Sequence, residues 1–335
     1  MRDNSNRSAG RPTLEEVAAR AGVGRGTVSR VVNGSAQVSP KARKAVQDAI
    51  DELGYVPNRA ARALVTQRTD SIAIVVFESG ERFFAEPFFG RIVQSVSSVL
   101  VARNLQMVLM IAQAPEERRQ LEGYLTRQHV DGALLLSLHG DDPLPVMLEE
   151  RGVPTVRAGR SAHPGLSFVD ADNRGGARAA VSYLREQGRR CIATITGPMD
   201  MAPGVARYQG YRDVVGDGPA AAGDFGEISG AMAMEWLLAN HPQLDAVFAA
   251  SDMMAAGALR VLRRSGRRVP EDVAVVGFDD SVIARHTDPP LTSVFQPVGQ
   301  MGQEMVRLLL AKLDGDEAVE HETVLPTRLI LRGSA

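Results

Sequence analysis

A short set of basic and small polar residues near the start of the chain has the composition expected of a surface that reads DNA. On a helix from about Arg25 to Asn33, three valines turn inward and five residues stay exposed: Arg25, Gly26, Thr27, Ser29 and Arg30. Such a face is typical of the second helix of a helix-turn-helix, which enters a major groove. The pattern therefore predicts double-stranded DNA as a partner.

The preceding residues predict the helix that positions this face. Thr13 followed by Glu16 forms a capping box, so a helix should begin at Leu14. Gly22 can adopt the left-handed conformation that ends a helix, which gives a tight turn into the second helix. The alternative interpretation of this stretch is an ordinary helical hairpin with a solvated basic face.

A third helix should complete a small DNA-binding domain over residues 13–57. Ser39 caps it, Pro40 occupies its first position, and Gly54 ends it. Residues 1–12 are polar and predict a disordered N-terminus. Three short helices are near the lower size limit for independent stability.

Residues 58–70 are interpreted as a hinge helix and linker. Asn58 can cap a helix that extends only to Leu64, and six residues are too few for a helix to persist alone in water. It should therefore form against a partner, such as the same segment of a second subunit in a minor groove. Small residues such as Ala61 would allow close contact, and Leu64 could act as a wedge between base pairs. A simple linker is the alternative.

Charge is distributed unevenly along the chain. Residues 1–68 contain twelve basic and six acidic side chains, whereas the remainder contains 26 basic and 34 acidic ones. A basic head on an acidic body suits a protein that docks one end on a polyanion and keeps the rest away from it.

From Ser71 onward, apolar strands alternate regularly with helices, which predicts parallel sheets covered on both faces. The number of strands indicates an α/β core of two lobes, 71–335, with a ligand cleft between them. The predicted lobe boundaries are about 71–168 and 298–322 for the first lobe, and about 169–297 and 323–333 for the second. Thr323 to Leu331 is expected to form one strand of the second lobe.

The sequence argues against an enzyme, a metalloprotein or a membrane protein. No phosphate-binding loop or dinucleotide fingerprint is present, and the histidines lack metal-ligand spacing, so neither a cofactor nor a metal is expected. The adjacent carboxylates Asp279 and Asp280 have no evident catalytic partner. Cys191 is the single cysteine and opens an apolar strand, which fits a structural thiol and a reducing cytoplasm. No apolar run approaches membrane-spanning length, and no signal-peptide core is visible.

These residues resemble the LacI/GalR family of bacterial transcription regulators, and the resemblance covers nearly the whole chain. The head from Thr13 to Asn33 matches the family signature. Further matches are spread along the chain: Val38-Ser39-Pro40, Leu53 to Asn58, Val130-Asp131-Gly132, Asp172-Asn173, Arg207, Ser251-Asp252, Val276 to Asp280, and Pro289 to Val294. The resemblance implies a helix-turn-helix head on a periplasmic-binding-protein-like core, and a homodimer that binds a pseudo-palindromic operator.

The resemblance also implies which residues meet DNA. Arg25 and Gly26 correspond to positions that contact base edges, and an arginine can donate two hydrogen bonds to one guanine. The full set of expected DNA-binding residues is Thr13, Arg25, Gly26, Thr27, Ser29, Arg30, Asn33, Asn58, Ala61 and Leu64.

For the cleft, the resemblance implies an effector site with aromatic and charged residues. The expected effector-binding residues are Phe88, Phe89, Asp172, Arg207, Phe225, Ser251, Asp252 and Asp279. Aromatic rings that cover an apolar sugar face, together with charged groups that bind hydroxyls, suit a neutral polyhydroxyl ligand. Phe88 or Phe89 could instead belong to the hydrophobic core.

Two departures from the family pattern concern the ligand. The region between Gly210 and Phe225 is shorter than usual, so Phe225 could be displaced. Met201, Ala202 and Pro203 are apolar where some relatives place polar contacts, which argues against a purine or a phosphorylated ligand. Residues 82–89 and 197–201 are similar to an actinobacterial subgroup that controls the use of oligosaccharides, notably cello-oligosaccharides.

Three functions remain open from the sequence. The leading hypothesis is a cytoplasmic repressor that is released from its operator by a di- or oligosaccharide. A corepressor of the same family, which the ligand would make bind DNA more tightly, is the alternative. A sugar-binding transport protein fits poorly with the basic head.

Overall fold

The computed structural model describes residues 12–32, 35, 37–56, 68–127, 129–160, 163–316, 318 and 320–335. The chain forms two compact units, Met1–Thr69 and Asp70–Ala335, called the head and the core. Four predicted DNA-binding positions lie outside the described residues: Asn33, Asn58, Ala61 and Leu64. The predicted N-terminal segment up to residue 11 and the hinge positions 57–67 also lie outside them.

The described part of the head contains helices α1 (Leu14–Ala21), α2 (Arg25–Val32) and α3 (Pro40–Leu53). The predicted capping box begins α1: the Glu16 backbone N–H donates to Thr13 Oγ1 at 3.2 Å, and the Thr13 N–H donates to Glu16 Oε2 at 2.8 Å. Gly22 ends α1 with φ at 64°, in the left-handed region that glycine adopts without steric cost. The predicted helix-turn-helix is thus confirmed.

Apolar side chains from all three helices form the core of the head. Val17, Val28 and Val46 are fully buried, and Tyr55 closes the cluster after α3. The inward face of α2 is therefore held by packing, and its opposite face is left toward solvent. Few residues share this core, so each buried side chain carries a large part of its stability.

The described strands of the core are short, apolar and mostly buried. They are β1 (Ser71–Val76), β2 (Gln106–Ile111), β3 (Gly132–Leu136), β4 (Thr155–Ala158), β5 (Phe168–Ala171), β6 (Ile192–Thr196), β7 (Ala220–Ala222), β8 (Ala246–Ala249), β9 (Ala274–Asp279), β10 (Thr292–Phe295), β11 (Glu322–Leu325) and β12 (Arg328–Ile330).

Helices connect most of these strands and cover the sheets. They are α4 (Gly80–Ala85), α5 (Pro87–Ala102), α6 (Pro115–Leu125), α7 (Leu144–Glu150), α8 (Asn173–Glu186), α9 (Ala202–Val215), α10 (Glu227–Asn240), α11 (Asp252–Arg264), a 3₁₀ turn (Val282–Arg285) and α12 (Val298–Leu313).

Within the described residues, the strands form two sheets of six strands each. The first sheet has the order β11-β5-β4-β3-β1-β2 and is parallel throughout; in its centre, Ile74 lies opposite Leu134. The second has the order β12-β10-β9-β8-β6-β7, with β12 antiparallel to β10. Each sheet with its helices forms one lobe, as the strand–helix alternation predicts.

The chain passes between the lobes three times within the described residues: from β5 to α8, from β10 to α12, and from β11 to β12. Helix α12 packs on α5 and on β3, β4 and β5, so it belongs to the first lobe. Parallel strands all end at one edge of their sheet, and the crossings bring two such edges toward each other.

The structure corrects the predicted lobe boundaries near 168 and 322. Both β5 and β11 lie in the first sheet, so the first lobe extends a few residues further at each point. The single strand predicted from Thr323 to Leu331 is two strands in different sheets. Pro326 separates them, and proline cannot continue a ladder because it has no N–H. Strands β5 and β7 and helix α4 were not predicted.

Helices α10 and α11 approach each other closely through two glycines. A Cβ at Gly257 would lie 2.2 Å from the Glu227 carbonyl oxygen and 2.7 Å from the Ala231 nitrogen. At Gly230 it would lie 2.3 Å from the Met254 Cα. Backbone atoms cannot move aside as a flexible side chain can, so this crossing requires glycine.

We expect Gly257→Ala to lower the free energy of unfolding by about 1–3 kcal/mol, because the added methyl forces the two helices apart. Gly123→Ala in α6 is the matched control, since nothing lies within 4 Å of its Cβ position. That control should leave stability unchanged or raise it by up to about 1 kcal/mol. Urea unfolding of both variants checks this, and equal stabilities would contradict the close crossing.

Candidate functional site

The outward face of α2 has the composition that the sequence predicts. The Arg25 side chain is 74% exposed, Arg30 is exposed, and a Cβ at Gly26 would have no neighbour within 4 Å. Thr27 and Ser29 are partly buried beside them. The described part of this face is therefore open for contact with a large partner.

An ion pair between the two helices positions Arg25. Its Nε lies 3.2 Å from Glu15 Oε1, on the first turn of α1. The two terminal nitrogens of a guanidinium held in this way can still donate in parallel to a guanine. The Thr13 hydroxyl accepts from the Glu16 N–H and so serves the helix cap.

A cavity in the core is lined by residues of both lobes and encloses about 1000 Å³, including space open to solvent. Several lining residues follow the carboxyl ends of strands, which is where α/β folds bind ligands. The lining is Arg82, Glu86, Pro87, Phe88, Phe89, Arg91, Ser137, Leu138, Arg157, Ala158, Gly159, Asp170, Asn173, Met201, Ala202, Pro203, Arg207, Phe225, Ser251, Met253, Asp279, Ser281, Gln296, Val298 and Met301.

Arg207 is the most fully bonded charged residue of this lining. It is 4% exposed; its Nε donates to Asn173 Oδ1 at 2.8 Å, and its Nη1 donates to the Ala250 carbonyl at 2.6 Å. Nη1 also pairs with Asp279 Oδ1 at 3.3 Å, and Nη2 donates to Gln296 Oε1 at 3.2 Å. The guanidinium thereby holds the ends of four different segments in one arrangement.

Two aromatic rings enclose the same guanidinium. The Cζ of Arg207 lies 3.7 Å from the centroid of the Phe278 ring and 5.5 Å from that of Phe225. Phe278 is fully buried under the arginine, whereas Phe225 belongs to the cavity lining. Cations over aromatic faces are favourable, most of all where water is excluded.

Three carboxyl groups of the cavity have raised pKa values. Burial raises the pKa of Asp279 to about 6, although the Arg207 charge opposes the shift. Burial also raises the pKa of Asp170 to about 6 and that of Glu86 to about 7. Groups that titrate near neutrality cluster at functional sites, because binding and catalysis use partly desolvated charges.

Three residues of the cavity lining have strained backbone conformations. Ser137, Phe225 and Asp279 are non-glycine residues with positive φ, at 58°, 74° and 107°. Such conformations cost about 1–3 kcal/mol each and persist only where the surroundings impose them. All three residues line the cavity, so the strain directs functional side chains into one space.

The structure brings most of the predicted effector residues together. Six of the eight line the cavity: Phe88, Phe89, Arg207, Phe225, Ser251 and Asp279. Phe225 lines the cavity, and the short region before it contains the three-residue strand β7. Phe89 also packs into the core of the first lobe, so it combines both interpretations made for the phenylalanines. The Ser251 hydroxyl donates to the Phe225 carbonyl and caps α11.

Two predicted effector residues, Asp172 and Asp252, lie outside the cavity lining. Asp172 is exposed and caps α8, where Oδ1 accepts from the Gly175 N–H at 2.9 Å. Asp252 is buried on α11 and accepts from Ser293 Oγ at 2.5 Å and the Ser281 N–H at 2.6 Å. Both carboxylates are thus used to hold backbone segments together.

Sequence reasoning missed several charged or polar lining residues: Arg82, Glu86, Arg91, Arg157, Asp170, Asn173 and Gln296. One signal was available, because Asp170 interrupts an apolar segment and such a charge needs a partner if it is buried. Arg157 likewise interrupts the apolar strand β4. Gln296 follows β10 and carried no comparable signal.

The described ranges also bear on membrane insertion and on metal binding. No helix there is long and apolar enough to cross a membrane. No group of three or more histidine, cysteine, aspartate or glutamate side chains in the same ranges could hold a metal ion.

Comparisons with known proteins agree on the head and the core. Residues 13–58 match the profile of bacterial regulatory proteins of the lacI family, and residues 181–335 match that of a periplasmic binding protein-like domain. The HTH-type transcriptional regulator CelR of Thermobifida fusca is 56% identical over 334 residues, which cover 97% of this chain and 98% of that protein.

Solved structures are similar over nearly the same length. A transcriptional regulator CelR–cellobiose complex has 54% identity and a TM-score of 0.77, covering 97% of this chain and 100% of that chain. A lac repressor dimer bound to operator and to the anti-inducer ONPF has 29% identity and a TM-score of 0.85. It covers 97% of this chain and 99% of its own.

We expect Arg207→Met to lower the free energy of unfolding by about 3–5 kcal/mol, because its acceptors stay buried without their donor. Arg212→Met, on the same helix, is the matched control. Arg212 forms an exposed ion pair with Asp217, so its loss should cost at most about 1 kcal/mol. Urea unfolding at neutral pH compares the two, and similar small losses would show that the Arg207 network does not hold the cleft.

Proposed function

The chain belongs to the LacI family of bacterial regulatory proteins, and we propose that it is a repressor whose operator affinity is lowered by a cello-oligosaccharide. Cellobiose is the first effector to test, because the protein chain in a solved CelR–cellobiose complex has 54% sequence identity to this chain. In this proposal the protein acts in the cytoplasm, as a homodimer bound to a pseudo-palindromic operator. Its relatives are transcriptional regulators, and we assign no catalytic step to it.

The observation that carries the effector proposal is the composition of the cavity. Phe88 and Phe225 offer apolar ring faces, and Arg207 and Asp279 offer charged donors and acceptors. A pyranose has an apolar face formed by its C–H groups and a rim of hydroxyls, so it matches this combination. The apolar Met201, Ala202 and Pro203 in the lining favour a neutral sugar over a phosphorylated one.

The proposed coupling between sugar and DNA depends on the pose of the two lobes. The effector binds residues of both lobes, so it stabilises the pose in which those residues best reach it. It can act on DNA only through different affinities for the two states. We assign the transmission to a hinge helix with Asn58, Ala61 and Leu64 at the minor groove, on residues outside the described part of the chain.

The head is proposed to read the operator through α2. Arg25 contacts a guanine edge in the major groove, Gly26 allows close approach, and Arg30 adds positive charge. Thr27 and Ser29 contact phosphates, which position the helix without specifying sequence. Thr13 caps the N-terminus of α1, and a helix N-terminus is a favourable site for phosphate. In this proposal that end of α1 contacts the DNA backbone.

Operator binding with and without cellobiose tests the proposal. We expect cellobiose to weaken the affinity of the full-length protein for its own upstream region at least tenfold. The affinity should also fall steeply as salt rises, since phosphate contacts release counterions. Fluorescence anisotropy with a labelled duplex measures both. Tighter binding with cellobiose would instead identify corepression, and no response to a panel of di- and oligosaccharides would overturn the sugar effector.

We expect Arg25→Ala to weaken operator binding by about 1–3 kcal/mol and to relax selectivity at one base pair of each half-site. A selection from randomised operator sequences measures the base preference. Lys44→Ala on α3 is the control, because Lys44 is exposed and paired with Asp48. An equal loss on every sequence would show that Arg25 contacts only phosphate.

Effector affinity should fall as the pH is lowered through about 6. Asp279 has a pKa of about 6, and protonation there removes the charge that accepts hydroxyl protons and faces Arg207. Asp170 titrates in the same range and adds to the effect. Calorimetric titration of cellobiose between pH 5 and 8 measures this. Asp279→Asn should bind weakly at every pH with a flatter profile, and an unchanged profile would assign the dependence elsewhere.

A further inference from the structure

Two buried side-chain atoms in the described part of the chain have no hydrogen-bond partner, Arg157 Nε and Ser281 Oγ. Both residues line the cavity. A buried donor or acceptor without a partner is rare, because it has lost its water and gained nothing in exchange. The Ser281 hydroxyl lies beside the Asp252 carboxylate, and the attraction between the hydroxyl dipole and the carboxylate charge stabilises both groups. Arg157 is therefore the less compensated of the two.

The carboxylates of Asp142 and Asp170 act on Arg157 from a distance, and each of them is bonded to other groups. Asp142 pairs with Arg118 and accepts from the Leu144 N–H at 3.0 Å. Asp170 Oδ1 accepts from Asn173 Nδ2 and from the Ala171 N–H, both at 2.9 Å. Burial lowers the pKa of Arg157, and the distant carboxylates oppose that shift. The described residues thus leave this guanidinium without an ion pair.

Two other arginines of the lining, Arg207 and Arg82, are already used by the protein. Arg207 donates from all three of its nitrogens, and Arg82 pairs with Glu86 at 2.5 Å and with Glu78 at 3.4 Å. These contacts hold the walls of the cavity in place. Arg157, at the end of β4 in the first lobe, differs because its Nε is buried at the cavity and unsatisfied.

The chemistry of the free edge indicates what it binds. The Nε–H and one Nη–H of a guanidinium point in parallel and suit two oxygens held side by side. Two hydroxyls on neighbouring carbons of a pyranose present such a pair. Arg207 lies in the second lobe, so a ligand that reaches both arginines must span the cavity between lobes.

We infer that Arg157 is a specificity-determining residue that binds neighbouring hydroxyls on the sugar ring remote from Arg207. This inference rests on the proposed sugar effector and adds the group that selects a disaccharide over a single ring. The unliganded protein carries the cost of the unsatisfied donor, and the ligand removes it. Arg157 therefore lowers stability in the free state and raises affinity in the bound state.

Arg157→Met separates this role from a structural one. The substitution keeps an unbranched apolar stem and removes every donor. We expect the melting temperature of the unliganded protein to stay equal or rise, while the Kd for cellobiose rises at least tenfold. Arg157→Lys keeps the charge but loses the paired donors, so its Kd should lie between those of Arg157→Met and the wild type. Calorimetry on full-length protein without DNA measures the Kd values.

Arg151→Met is the matched control, because Arg151 is exposed in the same lobe and does not line the cavity. It should leave both the melting temperature and the Kd unchanged. A Kd for Arg157→Met within twofold of the wild type would overturn the inference. A melting temperature that falls together with affinity would overturn it too, since Arg157 would then be structural.

The two readouts also separate this inference from the proposed function. Wild-type protein that fails to bind cellobiose overturns that effector. The melting temperature of unliganded Arg157→Met still decides whether Arg157 is an uncompensated group, because this measurement requires no ligand. A lower melting temperature rejects the role of Arg157 under any effector.

Discussion

The buried Arg207 guanidinium is the interaction on which the effector cleft depends. Its donors hold Asn173 at the start of α8, the Ala250 carbonyl after β8, and Gln296 after β10. These segments are far apart in sequence and meet only at the carboxyl edge of the second sheet. One residue thus replaces several separate loop contacts, and the same charge lets Asp279 remain in a water-poor site. Cleft geometry and cleft electrostatics therefore have a common origin.

Sheet architecture explains why strain and unsatisfied charge occur in the same place. Parallel strands end together, and the chain must turn sharply after each one to enter a helix. At the cavity these turns include the left-handed residues Ser137, Phe225 and Asp279, which direct side chains inward. The interior of each lobe, by contrast, is apolar and close-packed, with glycines where α10 meets α11. Part of the backbone strain therefore lies at the cavity, while the close-packed apolar interiors stabilise the lobes.

Much of the architecture could be predicted because it depends on local patterns. A capping box, a left-handed glycine and valines at helical spacing suffice for the head, and regular apolar strands suffice for two lobes. The lobe boundaries were misplaced because β11 and β12 are separated by only two residues, and nothing local assigns them to different sheets. Asp172 was expected at the effector site, whereas Asp170 lines the cavity. Asp170 lies within strand β5 and Asp172 directly follows it, and the fold determines that Asp172 caps a helix while Asp170 faces the cavity.

The three crossings between lobes also determine the order in which the protein can be completed during synthesis. Strand β11 completes the edge of the first sheet, and β12 completes the edge of the second. Strand β12 pairs with β10, which precedes α12 in the sequence, whereas β11 and β12 both follow it. Ser334 further joins Thr292 to Val275 by hydrogen bonds. Neither lobe can therefore finish folding before nearly the whole chain has left the ribosome. The head has its own apolar core and emerges first, so the DNA-reading unit forms before the sensor that regulates it.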